Sequence, residues 1–295
     1  ISLIIPTRDD LSQLIEVIEG VNHQDYLPKE IIIVDTSLKD EIYEYIKNHK
    51  NKIPINYFRE RNAYPGRARN IGVNKAKEEW IAFLDSKTVP KKYWLKRNIA
   101  KIIKSDFNIV FGFTKYIAKT FKQKIIRAAT FGSIGHETTP GTLLKRNDFL
   151  NHCEFNEKAR AGEDLEWRNR IKKNALFKVD NINEITLSYY SLPNNILSIV
   201  YKYLVYSFHS AYLDIQQNIK ELYLTILLIF TAIIIPQWNL LLDGFNKHPL
   251  YVPNITKIYI SLLIIILIFE CVVISEALVG VHSTRPEEEI VIPSG

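Results

Sequence analysis

The amino-acid sequence predicts an α/β protein in which a doubly wound, mostly parallel sheet is flanked by helices and followed by one amphipathic and two transmembrane helices. Short apolar runs alternate with helical patterns through the first 90 residues, which is typical of such a sheet. Three of these runs end in polar residues, as strands with a ligand site at their carboxyl ends do. Two much longer apolar runs follow in the last quarter of the chain.

Periodicity predicts the elements of the first 90 residues. Four short runs are predicted to form strands: residues 2–5, 30–34, 53–58 and 80–84. The run 30–34 is continuous and β-branched, as strands buried on both faces tend to be. Three stretches between them place apolar residues at helical spacing: residues 11–20, 39–48 and 66–77. Because strand and helix alternate, the strands are expected to run parallel.

The pattern is less regular after residue 90. Helices are predicted at residues 93–105, 119–130 and 162–171. Strands are predicted at residues 108–113 and 141–145, with one or two more within 177–190, while residues 133–139 are expected to form a loop. These elements complete a predicted domain over residues 1–193.

The chain beyond residue 193 has a different character. Residues 194–221 mix tyrosines with aliphatic residues in an amphipathic pattern, which favours a membrane interface or a helix packed on the sheet. Residues 222–280 contain two apolar runs of the length that crosses a bilayer, and they predict a transmembrane hairpin, with two buried helices as the alternative. The acidic tail, residues 281–295, is expected to be disordered.

Charge predicts how the chain is oriented and what it binds. Lys and Arg are dense before residue 222 and sparse between the apolar runs, so the main domain is expected on the cytoplasmic side of the cell membrane, in a multi-pass protein with two spans. The net charge of +6 suits an anionic partner, such as a nucleotide diphosphate or a membrane surface. Nucleic acid is not expected, because no Lys/Arg run is interleaved with aromatic residues and no zinc-ligand spacing occurs.

Polar residues at the predicted strand ends are the first candidates for a site. Asp85 and Lys87 follow one strand, Asp35 follows another, and Thr7 and Arg8 follow the first. The carboxyl ends of parallel strands meet at one edge of a sheet, where ligands bind. For Asp35 the alternative is a turn residue that bonds its own backbone.

Six short motifs occur in one order along the chain: residues 4–7 (IIPT), 33–37 (IVDTS), 66–72 (GRARNIG), 83–90 (FLDSKTVP), 140–141 (PG) and 162–167 (GEDLEW). Together they resemble the family-2 inverting glycosyltransferases, which have the GT-A fold. The resemblance covers residues 1–190, and the C-terminal hairpin resembles the membrane anchor of many such enzymes.

The resemblance implies a reaction. Such enzymes move a sugar from a nucleotide-diphosphate donor, here expected to be a UDP-sugar, to an acceptor hydroxyl. The expected acceptor is a lipid-linked or surface glycan. Transfer is expected to be non-processive, because the Gln-x-x-Arg-Trp motif of processive members does not occur in the sequence.

The resemblance also implies roles for individual residues. Glu163 and Asp164 are the catalytic pair, with Asp164 as the general base. Seven residues are expected to bind the donor: Thr7, Arg8, Asp35, Arg67, Arg69, Asp85 and Lys87. Three residues are expected to bind the acceptor: His136, Gly141 and Trp167.

Several of these residues have a structural alternative. Asp164 also suits a helix start because of the helix dipole, and Arg67 also suits a solvated helix end. His136 fits an ordinary loop histidine, and Trp167 fits simple packing. Thr36 occupies the position next to Asp35 where the family often has a second acid. The resemblance therefore does not assign the contacts that this position makes with the nucleotide base.

Asp85 and Lys87 occupy the position of the family's Asp-x-Asp, whose carboxylates hold Mg²⁺ or Mn²⁺ against the diphosphate. A charged lysine cannot ligate a metal. Two interpretations follow: Asp85 binds the ribose or a weakly held divalent metal, or Lys87 itself neutralises the diphosphate.

Two rival functions follow from the same residues. A non-catalytic GT-A-like membrane protein is favoured by the altered Asp-x-Asp and opposed by the intact Glu163-Asp164 pair. A nucleotidyltransferase shares the sheet architecture, but its Gly-rich phosphate loop is not found after the first strand.

Overall fold

The computed structural model describes residues 1–105, 107–180 and 184–195, with a few residues beyond them: 198–199, 201–202, 205, 209, 213, 237, 252–254 and 256–260. The described part is a mixed α/β fold built on one nine-stranded sheet. Its strands are β1 (Ser2–Thr7), β2 (Glu30–Asp35), β3 (Ile55–Arg59), β4 (Trp80–Phe83), β5 (Thr88–Pro90), β6 (Ile109–Tyr116), β7 (Gly135–Lys145), β8 (Val179–Asp180) and β9 (Leu187–Tyr189). Its helices are α1 (Leu11–Asn22), α2 (Glu41–Asn48), α3 (Pro65–Lys75), α4 (Trp94–Lys104), α5 (Phe121–Thr130), α6 (Arg146–His152) and α7 (Glu163–Lys173).

The first half forms the parallel part of the sheet. Strands β3, β2, β1 and β4 lie side by side in this order, and all three pairings are parallel. Thr7 and Asp35, the last residues of β1 and β2, are register partners. The polar ends of these strands therefore lie at one edge of the sheet, as the sequence predicts.

The second half makes the sheet mixed. Strand β7 joins β4 and β6 by antiparallel pairing, β9 runs parallel to β6, and β5 pairs antiparallel with β9 at the far end. Strand β8 pairs parallel with β6. Since β4 lies in the middle of the sheet and β5 at its end, residues 84–87 cross from one region to the other, which places Asp85 at the centre of the edge.

The prediction of a loop at residues 133–139 is wrong from Gly135 onward. These residues form the first half of β7 and pair with β6, which continues to Tyr116. The register shifts between Val110 and Gly112, so the long hairpin contains a bulge opposite residues 139–142. The short strand β5 has no separate signal in the sequence.

Two hydrophobic clusters fill the two faces of the sheet. Alternate residues of the parallel strands face opposite sides: Ile4 belongs to one cluster, and Leu3 and Ile5 to the other. The first cluster contains Trp167 of α7, and the second contains Trp94 of α4. Helices on both faces are what a doubly wound sheet requires.

The predicted membrane segments lie mostly outside the described residues. Of residues 194–280 only those named above are described, and the tail 281–295 is not. Within the described part of the chain, no helix has the length and apolar character needed to cross a bilayer. The hairpin and its boundaries stay predictions.

Candidate active site

Arg69 joins two parts of the site that are far apart in the sequence. Its Nη2 donates to Asp85 Oδ1 at 2.8 Å, just beyond β4, and its Nη1 donates to Glu163 Oε1 at 2.9 Å, at the start of α7. Its guanidinium carbon lies 5.2 Å from the Phe155 ring centroid, a cation–π distance. The bridge holds the β4 tip and the α7 start together at the same edge of the sheet.

Burial sets the electrostatics of this bridge. Burial raises the pKa of Glu163 to about 7, against the opposing charge of Arg69. Burial alone would lower the pKa of Arg69, but the charges of Asp85 and Glu163 outweigh it and raise that pKa above its ordinary value. Arg69 is therefore a permanent cation, and Glu163 is a carboxyl that takes up a proton near neutral pH.

Asp164 lies beside this bridge in the first turn of α7. Gly162 precedes the helix with φ near 80°, a left-handed conformation that suits glycine. The Asp164 side chain is half-buried, while its carbonyl accepts a hydrogen bond from the Thr139 hydroxyl at 3.3 Å. A partly exposed carboxylate at this position is available to an incoming hydroxyl.

Lys87 lies at the same edge and is paired with Asp10. Its Nζ lies 2.9 Å from Asp10 Oδ1, and Ser86 Oγ donates to Asp10 Oδ2 at 3.3 Å. The Lys87 side chain is about a third exposed. The ammonium is thus held at the position where the family's second carboxylate is expected.

These residues do not fit a dedicated divalent-metal site. One Asp85 oxygen accepts from Arg69, and Lys87 is a competing cation two residues away. Among the described residues, no group of three or more His, Cys, Asp or Glu side chains is arranged to hold a metal ion. Asp85 remains the candidate ligand that the sequence names.

A second polar group forms around Asp35. This carboxylate is fully buried; Oδ1 accepts from the Ser37 amide and Oδ2 from the Tyr57 hydroxyl, each at 2.8 Å. The bond from the Ser37 amide is the local backbone contact expected of a turn aspartate, whereas the bond from Tyr57 is not. The neighbouring Thr7 hydroxyl is buried and has no hydrogen-bond partner within the described residues.

The two other predicted donor residues lie outside these groups. The Arg8 side chain is about half exposed and lies 3.8 Å from the Asp9 carboxylate. Arg67 is similarly exposed and lies 3.4 Å from Glu60. Both are solvated surface arginines in this structure, which is the alternative given above for Arg67.

Trp167 packs in the core and has no face open to an acceptor. It is fully buried, stacks on Phe155 with centroids 4.5 Å apart, and donates from Nε1 to the Cys153 carbonyl. The edges of Phe83 and Phe111 complete its surroundings. The prediction that Trp167 stacks on an acceptor sugar is therefore wrong for this structure, and its packing alternative holds.

The structure also gives Gly141 a structural role in place of acceptor binding. It is buried at φ near 91°, and its carbonyl accepts from Trp94 Nε1 and Asn98 Nδ2, both at 2.9 Å. A Cβ here would meet Leu187 Cδ1 at 2.3 Å. His136 lies on β7, half-buried, where Nε2 contacts the Phe131 carbonyl and the ring meets Tyr116 edge-on.

Two tyrosines that no motif singles out also face this edge. Burial and the charges of Asp85 and Asp10 raise the pKa of Tyr189 to about 12. Burial, together with the nearby charge of Asp164, raises the pKa of Tyr116 as well. Tyr116 is the last residue of β6 and Tyr189 the last residue of β9. Nothing in the sequence beyond their aromatic character indicates that they lie near the candidate site.

Comparison with known proteins identifies the family of this chain. Residues 2–178 match the sequence model of Glycosyl transferase family 2. An uncharacterized glycosyltransferase of Rickettsia felis is 31% identical over 195 residues, which cover 61% of this chain and 31% of that protein. The poly(ribitol-phosphate) beta-N-acetylglucosaminyltransferase TarS of Staphylococcus aureus is 27% identical over 100 residues, 32% of this chain and 17% of TarS.

The fold has a counterpart among solved structures. The crystal structure of S. aureus TarS 1-349 in complex with UDP-GlcNAc matches with a TM-score of 0.52 and 18% identity, over 67% of this chain and 60% of that one. At this identity the likeness concerns the fold, and it agrees with the GT-A fold that the sequence predicts. The chain spans about a third of the length of the Rickettsia relative. Because the family match covers more than half of the chain, this protein belongs to glycosyl transferase family 2.

Proposed function

We propose that this chain is a membrane-anchored inverting glycosyltransferase that moves a sugar from a UDP-sugar to a lipid-linked or surface-glycan acceptor. The observation that carries the proposal is the Arg69 bridge, which joins the Asp85 strand tip to the Glu163-Asp164 helix start. A donor at the strand tip and a base at the helix start are the two parts that a single displacement needs close together.

The Asp35 group supports a uridine donor. Its buried carboxylate keeps acceptor capacity beyond its two hydrogen bonds, and the unpartnered Thr7 hydroxyl lies beside it. A pyrimidine base offers an N–H donor and carbonyl acceptors that match this pair. The UDP-GlcNAc seen with TarS is a donor of the proposed class.

In the proposed reaction, Asp164 removes the proton from the acceptor hydroxyl as its oxygen attacks the anomeric carbon. The bond from that carbon to the diphosphate oxygen breaks, and the nucleoside diphosphate leaves with the electron pair. Glu163 and Arg69 position α7 against the strand tip. Lys87 lies where it would neutralise the charge that develops on the diphosphate.

We further propose that Lys87 takes the place of a tightly bound metal ion. Its ammonium is paired with Asp10 in this structure, so a diphosphate would exchange that carboxylate for phosphate oxygens. The rival interpretation is a weakly held Mg²⁺ or Mn²⁺ on Asp85, completed by the diphosphate and water.

The membrane and acceptor parts of the proposal rest on the sequence. The two apolar runs within residues 222–280 supply the anchor, and the positive-inside rule puts the enzyme on the cytoplasmic face. A glycan carried on a lipid or at the cell surface is the acceptor available to an anchored enzyme. Transfer of single sugars is proposed because the processive motif does not occur in the sequence.

A thermal-shift screen of sugar nucleotides with and without Mn²⁺ tests the donor. UDP-sugars at about 100 times their Kd should stabilise the native state by about 2.7 kcal/mol. The shift should not need Mn²⁺ if Lys87 neutralises the diphosphate. No shift with any sugar nucleotide would contradict the proposal, whereas a shift without transfer or hydrolysis would favour the non-catalytic alternative.

A further inference from the structure

Helix α5 and the turn after it expose large apolar side chains. Phe121 is 71% exposed, Ile134 is 59% exposed and Ile125 is 38% exposed. Lys122 and Lys124 are exposed on the same helix, while Gln123 and Ile126 are buried against the domain. Phe121 and Ile125 are one helical turn apart and therefore share a face of α5, and Lys122 and Lys124 flank them. These four exposed residues (Phe121, Lys122, Lys124 and Ile125) are called the α5 face below.

The chain segment that carries the α5 face has charges of a single sign. No Asp or Glu occurs between residues 107 and 136, whereas five basic residues do: Lys115, Lys119, Lys122, Lys124 and Arg127. Basic residues interspersed with exposed aromatic and aliphatic side chains are the pattern of a helix that lies on an anionic membrane surface. The lysines could also bind a soluble polyanion, but a polyanion would not explain why Ile125 and Ile134 are exposed.

Helix α5 is hydrogen-bonded to residues 192–194, where the chain leaves the domain. Thr120 caps α5 and donates to Asn194 Oδ1 at 3.0 Å, and Gln123 Nε2 donates to the Leu192 carbonyl at 2.6 Å. The chain that follows carries the amphipathic and apolar segments described above. A membrane that receives those segments would therefore lie next to α5.

The other end of α5 leads to the candidate active site. Phe131 follows the helix and stacks on Tyr116, with ring centroids 3.7 Å apart. The charge of Asp164 acts on Tyr116, so this pair lies on the side of the site where the proposed base is found. A membrane against α5 would bring a lipid-linked acceptor to that side.

We propose that the α5 face is a docking surface for the anionic headgroups and outer acyl region of a phospholipid bilayer. Phe121 and Ile125 enter the interface while Lys122 and Lys124 contact lipid phosphates. This goes beyond the proposed function, which assigns membrane contact only to the segments after residue 193. It rests on that function for the position of the membrane next to α5 and for the orientation toward the acceptor.

An environment-sensitive fluorophore on the full chain tests the surface. Phe121→Cys and, as the matched control, Ile103→Cys are labelled in a background carrying Cys153→Ala and Cys271→Ala. Ile103 on α4 is also strongly exposed, at 67%. With vesicles of phosphatidylcholine and phosphatidylglycerol, we expect nitroxide lipids to quench the label at position 121 at least twofold more than the label at position 103.

Charge reversal tests the electrostatic part. Lys122→Glu with Lys124→Glu should abolish the difference between the two labels, since each lysine near an anionic surface changes binding about fivefold. Equal quenching at positions 121 and 103 would overturn the proposal. The proposal would also be overturned if soluble polyphosphate, but not vesicles, changed the emission of the fluorophore at position 121. UDP-sugar thermal shifts on the same samples report donor binding separately, so failure of the proposed function is seen independently.

Discussion

At the residue scale, Arg69 determines how the site is held together. One guanidinium satisfies two carboxylates that come from different elements, and its own side chain is almost fully buried. Removing it would take away the hydrogen bonds that join the two carboxylates and leave buried Glu163 without its donor. Arg69 therefore acts through Asp85 and Glu163, as a positioning residue.

Asp164→Asn tests the general base. The amide keeps the shape but accepts no proton, so transfer should fall by roughly 10²–10⁴-fold. Donor binding should stay measurable by thermal shift, because the Asp35 group is untouched. Glu166→Gln is the control: Glu166 lies on the same helix and is paired with Arg170 at 2.8 Å, and its change should leave turnover near that of the unaltered enzyme. Full turnover by Asp164→Asn would remove Asp164 from the role.

Lys87→Ala tests the charge on the leaving diphosphate. Loss of a charge-assisted contact should lower kcat/KM about 10- to 100-fold. Lys92→Ala is the matched control, since Lys92 is 74% exposed and paired with Asp25 instead. EDTA should leave the activity of the unaltered enzyme in place; complete loss on chelation would show that a metal, rather than Lys87, carries the charge.

Some of the charged residues that the sequence singles out lie together in the structure, whereas Arg8 and Arg67 lie outside the group. Asp85, Arg69 and Glu163 belong to motifs whose position at strand and helix ends follows from periodicity, and the structure brings them together. The environment of Trp167 depends on which face of α7 meets the sheet. The position of Trp167 in the helix sequence is compatible with core packing and with stacking on an acceptor sugar. Only the tertiary structure distinguishes these two roles.

At the element scale, the β6–β7 hairpin shows where periodicity loses its information. Residues 133–139 contain glycine, histidine and threonine, and this composition indicates a loop. In the structure, Thr114 is the register partner of His136 and Thr138 that of Gly112. The Thr114 and Thr138 hydroxyls lie 2.6 Å apart as a diagonal cross-strand pair, which stabilises the ladder. The partner strand supplied the stabilisation that the segment's own composition does not indicate.

Gly141→Ala tests the bulge in β7, with Gly132→Ala as the control. Both glycines have positive φ, 91° and 65°, but a Cβ at Gly132 meets no atom within 4 Å. Gly132→Ala should therefore lower the free energy of unfolding by about 1–2 kcal/mol from backbone strain alone. Gly141→Ala should lose about 1–3 kcal/mol more, because its Cβ meets Leu187. Equal losses in urea denaturation would contradict the tight packing at Gly141.

At the scale of the whole molecule, the sequence predicts the strands and parallel pairing of the first half of the sheet, but not the strand pairing of the mixed half. The strands β1, β2 and β4 are near-continuous apolar runs because helices cover both faces. Strand β5 has only three residues, too few for a period to be detected. Strands β8 and β9 lie within residues 177–190, where one or two strands are predicted, but nothing in that segment shows which strands they pair with. Their pairing depends on contacts between residues as distant as Thr88 and Tyr189.

The free energy of unfolding of the domain should depend on pH because Glu163 is buried. Its pKa is about 7 in the folded protein against an ordinary value of 4.5, so the folded state binds the extra proton between these values. The stability contributed by this group is fully present below pH 4.5 and is lost as the pH rises through 7. The groups that act on Glu163 are Arg69 and Asp164; Arg69 stays charged throughout this window.

Glu163→Gln removes this titration while keeping a side chain of the same shape. The free energy of unfolding of the unaltered protein minus that of the variant should therefore be largest near pH 4.5 and decrease steadily toward pH 7 and above. Urea denaturation of both proteins across pH 4.5–8 measures the difference, and taking it between matched proteins cancels the titration of the other carboxylates. A difference that is constant or grows with pH would show that Glu163 is ionised throughout, as a simple salt bridge to Arg69 requires.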